Sequence, residues 1–285
     1  MNLSEMIASG MDFSPKDVQA ECDQHGLTDH YQVAGMNPVC KQCEAAQKEK
    51  AAKENADAIY KKYKSVMKSN GVNPDGKRFD EWCFDQDQAE RQQKIIDALK
   101  NIASKIKIVG VEGRNGKIPN IMLVGGTGSG KTMLANALAK SVYRKAAAID
   151  VDKNTDAYQA GRSCAQLITS RDITDQAKAT WGTYGDSEHQ LIDRLSNMEL
   201  LIIDDLGDSD TASNEAMAAT DRGRVGQIIN KRYQKRPTVI TTNLTPDQVV
   251  DHLGDRAWDR LQENLIIIKC DWASYRQSVA KVAYL

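Results

Sequence analysis

The sequence predicts an α/β fold: a parallel sheet with helices on both faces, preceded by a small cysteine-rich domain and a connecting helix. Three observations carry this expectation. Short continuous apolar segments at 121–124, 200–203, 238–242 and 265–270 alternate with amphipathic stretches, the pattern of strands buried on both faces. The segment GGTGSGKT at 125–132 lies between one such strand and one such stretch, where a phosphate-cradling loop belongs. Cysteines and histidines cluster in the first 43 residues, ahead of a run rich in Ala, Lys and Glu.

With 285 residues, 41% hydrophobic and 27% charged, the chain can bury a sizeable core and carry a smaller second unit. No apolar run approaches the roughly 20 residues that cross a bilayer, and MNLSEMIASG is neither a basic leader nor a long apolar stretch, so a cytoplasmic protein with no membrane partner is expected. A net charge of −1 neither indicates nor excludes nucleic acid, because opposite patches cancel in the sum. Six cysteines in a reducing compartment read as thiols or metal ligands.

Residues 1–43 form the first expected domain. Cys22-x₂-His25 and Cys40-x₂-Cys43 are two short knuckles whose three sulfurs and one nitrogen suit tetrahedral Zn²⁺, with His30 the competing ligand. A domain of this size also needs such a staple. Cys83, Cys164 and Cys270 have no partner at metal spacing and read as core residues. Residues 44–76 form the connector: a helix over Glu44–Ser69, free of Gly and Pro, with a short apolar stripe of Ile59, Tyr63 and Val66 and an otherwise solvated surface, then the turn-rich NGVNPDG as linker. The nucleotide-binding domain is 77–285. Ile95, Leu99 and Ile102 mark one of its helices, Leu134, Leu138 and Val142 another, and Gln166–Thr169 a further strand. Residues 144–162 are expected to be a loop or insertion.

In the loop, Gly125, Gly126, Thr127, Gly128, Ser129 and Gly130 wrap phosphates with backbone N–H groups, Lys131 reaches the terminal phosphates of ATP, and Thr132 ligates Mg²⁺. LLIIDD supplies a carboxylate at the end of a neighbouring strand, Asp204, for the metal shell, and a second, Asp205, to orient or deprotonate the attacking water. Asn243, after TVITT, is either a turn former or, by the order of the motifs, the polar sensor residue that an AAA+ protein keeps between the two acidic sites. Arg256 and Arg260 lie four apart in LGDRAWDRLQE, as surface ion pairs or as arginines reaching a neighbour's γ-phosphate.

In this order, GGTGSGKT, LSNMELLIIDDLG, TTNLT, HLGDRAWDRL and CDWASYR resemble the AAA+ core of DnaC-type helicase loaders and the related DnaI group, and FDEWCFDQDQAERQQKIIDAL at 79–99 resembles the segment that opens that core. The resemblance covers about 79–279, and the chain ending soon after Arg276, with no large helical lid, belongs to it. It implies that Arg260 is the arginine finger, Arg276 the second sensor and Arg256 a supporting arginine. Trp181 falls where these loaders place an aromatic against single-stranded DNA. It also implies a zinc module that touches a replicative hexameric helicase (DnaB-like), self-assembly through the ATPase domain, and a bacterial or phage-infected cytoplasm. Two departures stand out: Asp205 replaces the more usual Glu, which suggests slow hydrolysis, and residues 208–225 exceed the matching loop. Arg222, Arg224, Lys231, Arg232, Lys235 and Arg236 form an acid-free basic run, read as phosphate contacts. The expected function is ATP-dependent loading of the helicase onto single-stranded DNA. The alternatives are an IstB-like transposition helper ATPase and a DNA-binding module with a structural nucleotide.

Overall fold

The computed structural model describes residues 14–34, 36–85, 87–108, 117–180, 187–207 and 215–275, with side chains of the last segment from 222 onward. The chain divides into two compact units, Met1–Ile59 and Tyr60–Leu285, and the boundary falls inside one long helix.

In the first unit, β1 (Lys16–Cys22) and β2 (Gly26–Gln32) pair antiparallel from Lys16↔Gln32 to Cys22↔Gly26. The short β3 (Val39–Cys40) adds to β2 with His30 opposite Cys40. Helix α1 (Lys41–Ser69) starts at once, so Cys43 sits in its first turn. Lys41 Nζ pairs with Asp17 at 2.7 Å, tying the helix start to β1.

In the second unit, five parallel strands stand in the order β5-β6-β7-β4-β8: β4 (Asn120–Val124), β5 (Ala165–Thr169), β6 (Leu200–Leu206), β7 (Thr238–Thr242) and β8 (Leu265–Lys269). The central strands read as apolar runs because both their faces are covered. Met122, Ile203 and Ile240 pack in one cluster with Ile173, Leu195 and Ile228 of the flanking helices. The helices are α2 (Ala89–Lys105), α3 (Lys131–Asp152), α4 (Ser170–Ala179), α5 (Glu188–Asn197), α6 (Glu215–Arg232), α7 (Pro246–Leu253) and α8 (Asp255–Gln262).

The stretch 144–162, expected as a loop, is helical to Asp152. Ala146, Ala147 and Asp150 continue the buried face of α3, and the buried Asp150 accepts from Tyr63 Oη at 2.7 Å and pairs with Arg162. The Asp150 carboxylate is thus a satisfied core group. The apolar stripe expected at the end of α1 is buried at Ile59 and Tyr63 and continues through Met67, with Val66 half-buried. The turn 70–76, read as a linker, is part of the second unit. Leu167 N–H donates to Asn70 O at 2.9 Å, which covers the β5 edge of the sheet. Gly71 turns there at φ +72°, and a Cβ would collide with the Leu167 carbonyl. Asn136 fixes the rest through Asn73 N–H at 2.8 Å.

Candidate functional site

The loop after β4 is rooted by both neighbouring strands: Gly125 N–H donates to Thr242 O at 3.3 Å, and Cys270 N–H donates to Val124 O at 2.7 Å. It ends at Gly130, the N-cap of α3, at φ +86°. A Cβ on Gly130 would stand 2.8 Å from the Trp82 ring. Lys131 donates to Gly125 O (2.7 Å), Gly126 O (3.0 Å) and Asn243 Oδ1 (2.7 Å), which holds its ammonium over the loop and beside the end of β7. Asn243 is aimed by the turn after β7, where Leu244 N–H donates to Thr242 Oγ1 and the Thr245 hydroxyl caps α7.

Thr132 Oγ1 donates to Asp204 Oδ1 at 3.1 Å, so hydroxyl and carboxylate already stand as adjacent oxygen ligands, the donor set that Mg²⁺ takes beside phosphates. Burial raises the Asp204 pKa, opposed by hydrogen bonds from Thr241 and Thr132. Asp205 is non-glycine at φ +50°, where the β6–β7 register shifts between Ile203 and Leu206. That bulge turns consecutive acids apart, and Asp205 lines the cavity over the loop.

This cavity, of about 870 Å³, is bounded by the loop, Asp205, Asn243, the segment from Lys77 to Asp85 and the segment from Trp272 to Tyr275. Trp272 Nε1 donates to Ser129 O at 2.8 Å, Tyr275 N–H donates to Gly128 O at 3.2 Å, and Trp82 meets Trp272 edge to face at 6.2 Å. Sequence reasoning gave no role to Trp82, Trp272 or Thr241. The two tryptophans stand in the motifs FDEWCF and CDWASYR, and an aromatic inside each motif was the signal available. Cys83, expected in the core, is exposed at the cavity rim with Lys77 Nζ at 3.2 Å, which lowers its thiol pKa. Cys164 and Cys270 are buried.

Arg256 and Arg260 do not line this cavity. Arg260 donates to Asn230 Oδ1 at 2.5 Å and lies over the Tyr233 ring, while Arg256 is exposed in a groove shared with Arg222. Trp181 and Arg276 lie outside the described residues. The basic run is largely consumed by the fold. Arg224, expected to contact DNA, is buried and paired with Glu188 through Nε at 2.9 Å and Nη2 at 3.1 Å, because α5 packs its first turn against α6. Arg232 is also buried, and Lys231 pairs with Asp193 at 2.5 Å.

In the first unit, Cys22, His25, Cys40 and Cys43 bring their ligand atoms within 4.8 Å of one another. Cys22 Sγ stands 3.5 Å from Cys43 Sγ, and His25 Nδ1 lies 3.6, 3.7 and 3.4 Å from the sulfurs of Cys22, Cys40 and Cys43. A tetrahedron with Zn–S and Zn–N bonds of about 2.3 and 2.0 Å has edges of roughly 3.5–3.8 Å, so the set fits zinc. His30 is buried against Thr28 O at 2.9 Å and is not in the cluster. The Gln24 backbone N–H lowers Cys22 to about 6, while the Cys22 thiol pushes Cys43 up to about 12. Sulfurs this close ionise together only around a cation.

A P-loop after β4, paired acids ending β6 and an asparagine after β7, on strand order β5-β6-β7-β4-β8, define a nucleotide-binding protein of the AAA+ type. A family model described as IstB-like ATP binding protein matches residues 49–283, and the chain belongs to that family. The replicative helicase loader DnaC of Escherichia coli (strain K12) is 31% identical over 176 residues, 61% of this chain and 63% of that protein. The match thus spans less than two thirds of that relative. The HslU ATPase subunit of an ATP-dependent protease from Rickettsia akari (strain Hartford) is 30% identical over 116 residues, 40% of this chain and 25% of that protein. Among solved structures, the crystal structure of the DnaC helicase loader gives a TM-score of 0.48 at 19% identity, covering 67% of this chain and 95% of that one. Among the described residues no helix is long and apolar enough to cross a membrane.

Proposed function

We propose that the protein is an ATP-driven loader of a replicative ring helicase onto single-stranded DNA, acting in the cytoplasm. The observation that carries the reading is the convergence of Lys131, Thr132, Asp205 and Asn243 on one cavity, with the buried Asp204 carboxylate hydrogen-bonded to Thr132 behind it. Bound Mg²⁺ would supply charge neutralisation on the phosphates. Lys131 would hold the terminal phosphates, Thr132 and Asp204 would hold the metal, and Asp205 would orient the attacking water, with Asn243 bonded to Lys131 beside them. Asp is one methylene shorter than Glu, so turnover is slow. Arg260 lies outside its own chain's cavity, which supports its acting on a neighbouring subunit's nucleotide in an assembly, with Arg256 beside it. Arg276 as second sensor, Trp181 as a DNA-stacking residue and the zinc module as the helicase contact complete the reading. The transposition-helper alternative is not favoured, since the curated match over 176 residues is named a helicase loader.

The test is reconstitution of the full chain with candidate ring helicases, followed by size-exclusion chromatography and ATP turnover with and without single-stranded DNA. A chain that hydrolyses ATP but forms no complex with any ring helicase would refute the loader reading and leave the ATPase standing.

A further inference from the structure

The fold splits the basic run read from the sequence and brings its last part, Arg232, Lys235 and Arg236, together with basic residues from elsewhere in the chain. At the amino-terminal end of the parallel sheet, opposite the P-loop, a cavity of about 1330 Å³ opens beside the first residues of β4 and β7. Among the described residues, seven basic side chains line it against one carboxylate, that of Glu263, which already accepts from Tyr233 Oη and Gln234 Nε2. Lys105 comes from the end of α2, Lys117 from the approach to β4, and Lys235 and Arg236 from the turn after α6.

Beneath them lies Arg232, with 1% of its surface exposed. Its hydrogen bonds end on Thr238 Oγ1 and on the carbonyls of Leu195, Ser196, Met198 and Pro237, all neutral acceptors. Burial lowers the Arg232 pKa to about 9, which leaves the guanidinium charged at neutral pH, and in a medium of low dielectric that charge adds to the positive potential of the cavity. Arg236 is partly offset by Glu199 at 3.6 Å. Ile118, Pro119 and Leu261 provide an apolar lining.

We propose that this cavity is a phosphodiester site that holds a segment of single-stranded nucleic acid by its backbone; the inference rests on the single-strand partner in the loader reading and replaces Arg224 as the contact. A lone phosphate is captured by donors converging within hydrogen-bond reach. Here the cations arrive from separate elements around an apolar lining, an arrangement suited to successive phosphates joined by sugars and bases. Arg260 lines the same cavity, so the strand would run beside the face assigned to a neighbouring subunit.

The test uses the full chain with ATP and a labelled oligothymidylate, read by anisotropy across a salt series. Lys105→Gln/Lys117→Gln/Lys235→Gln is expected to weaken binding at least about tenfold at low salt. It should also flatten the slope of log K against log salt by about 2, since each neutralised single-strand phosphate contributes roughly 0.7. If the triple variant does not fold, the three single variants, each expected to lower the slope by about 0.7, take its place. A slope equal to the parent's overturns the proposal. So does loss of ATP-dependent self-association with the slope retained, which assigns the cavity to the subunit interface. Tight binding of inorganic tripolyphosphate that the oligonucleotide does not displace overturns it in favour of a free polyphosphate. A parent chain that binds no single strand removes both the site and that partner. A slope change without a helicase complex sinks the loader reading alone.

Discussion

Thr241 Oγ1 donates to Asp204 Oδ1 at 2.5 Å, and the same oxygen accepts the Asp205 backbone N–H at 2.9 Å. One buried hydroxyl on β7 therefore sets the Asp204 carboxylate and pins the bulge that turns Asp205 into the cavity. Thr241→Val keeps the volume and removes both bonds, at about 1.5–3 kcal/mol for a hydrogen bond to a charged group. Turnover should fall roughly tenfold or more with nucleotide affinity nearly unchanged, and Thr241→Ser should recover most of it. Steady-state kinetics beside equilibrium nucleotide binding would show the split.

Burial makes the ionised form of Asp204 costly, and the sign follows from its raised pKa. The folded chain holds that proton at a pH where the unfolded chain has lost it, so the group lowers stability from about pH 4 upward, and the cost is complete above the folded pKa. Asp204→Asn should melt at a higher temperature than the parent at pH 7, with the gap closing below about pH 4, and should lose Mg²⁺-dependent turnover. Equal melting temperatures at pH 7 would contradict this.

Arg224 is 2% exposed and Glu188 32%, so their pair is buried mainly on the arginine side. Arg224→Ala leaves Glu188 partly desolvated without its partner and should cost about 2–3 kcal/mol, less than for a fully buried pair. Denaturant titration measures the loss. The salt slope of oligonucleotide binding should not move.

Lys131→Ala and Arg260→Ala should separate. Loss of Lys131 weakens nucleotide binding itself, while loss of Arg260 spares binding by the single chain and removes the hydrolysis that depends on assembly. Comparable loss of binding in both variants would place Arg260 in its own chain's site.

Metal analysis of the purified chain should find about one zinc per chain, released as pH falls because thiolates and imidazole compete for protons. Cys43→Ser, which removes a ligand from the first turn of α1, should lower metal content. A zinc-free chain with β1–β3 intact by amide exchange would refute the assignment.

The nucleotide loop, the strands and the Cys/His set were legible because each is a local pattern: glycine spacing, an apolar run, a paired knuckle. What failed was long-range. A charge pattern does not disclose which partner the fold supplies, so Arg224 and Arg232 read as surface although Glu188 and a ring of carbonyls hold them inside. The stretch 144–162 read as loop although it is helical to Asp152, because the partners that satisfy the buried Asp150, Tyr63 and Arg162, are distant in sequence or beyond the helix. Thr241 was invisible for the opposite reason: a threonine in a strand is ordinary until the register places it beside two aspartates.

The contact between Trp82 and Trp272 gives the molecule a native optical probe. Two indoles 6.2 Å apart, one against Gly130 and the other bonded to Ser129, flank the phosphate loop. An arriving purine changes the polarity around them, so emission wavelength and quenching should follow nucleotide occupancy without any attached dye. Trp82→Phe and Trp272→Phe would then divide the signal between the two walls and time the arrival of ATP separately from its turnover.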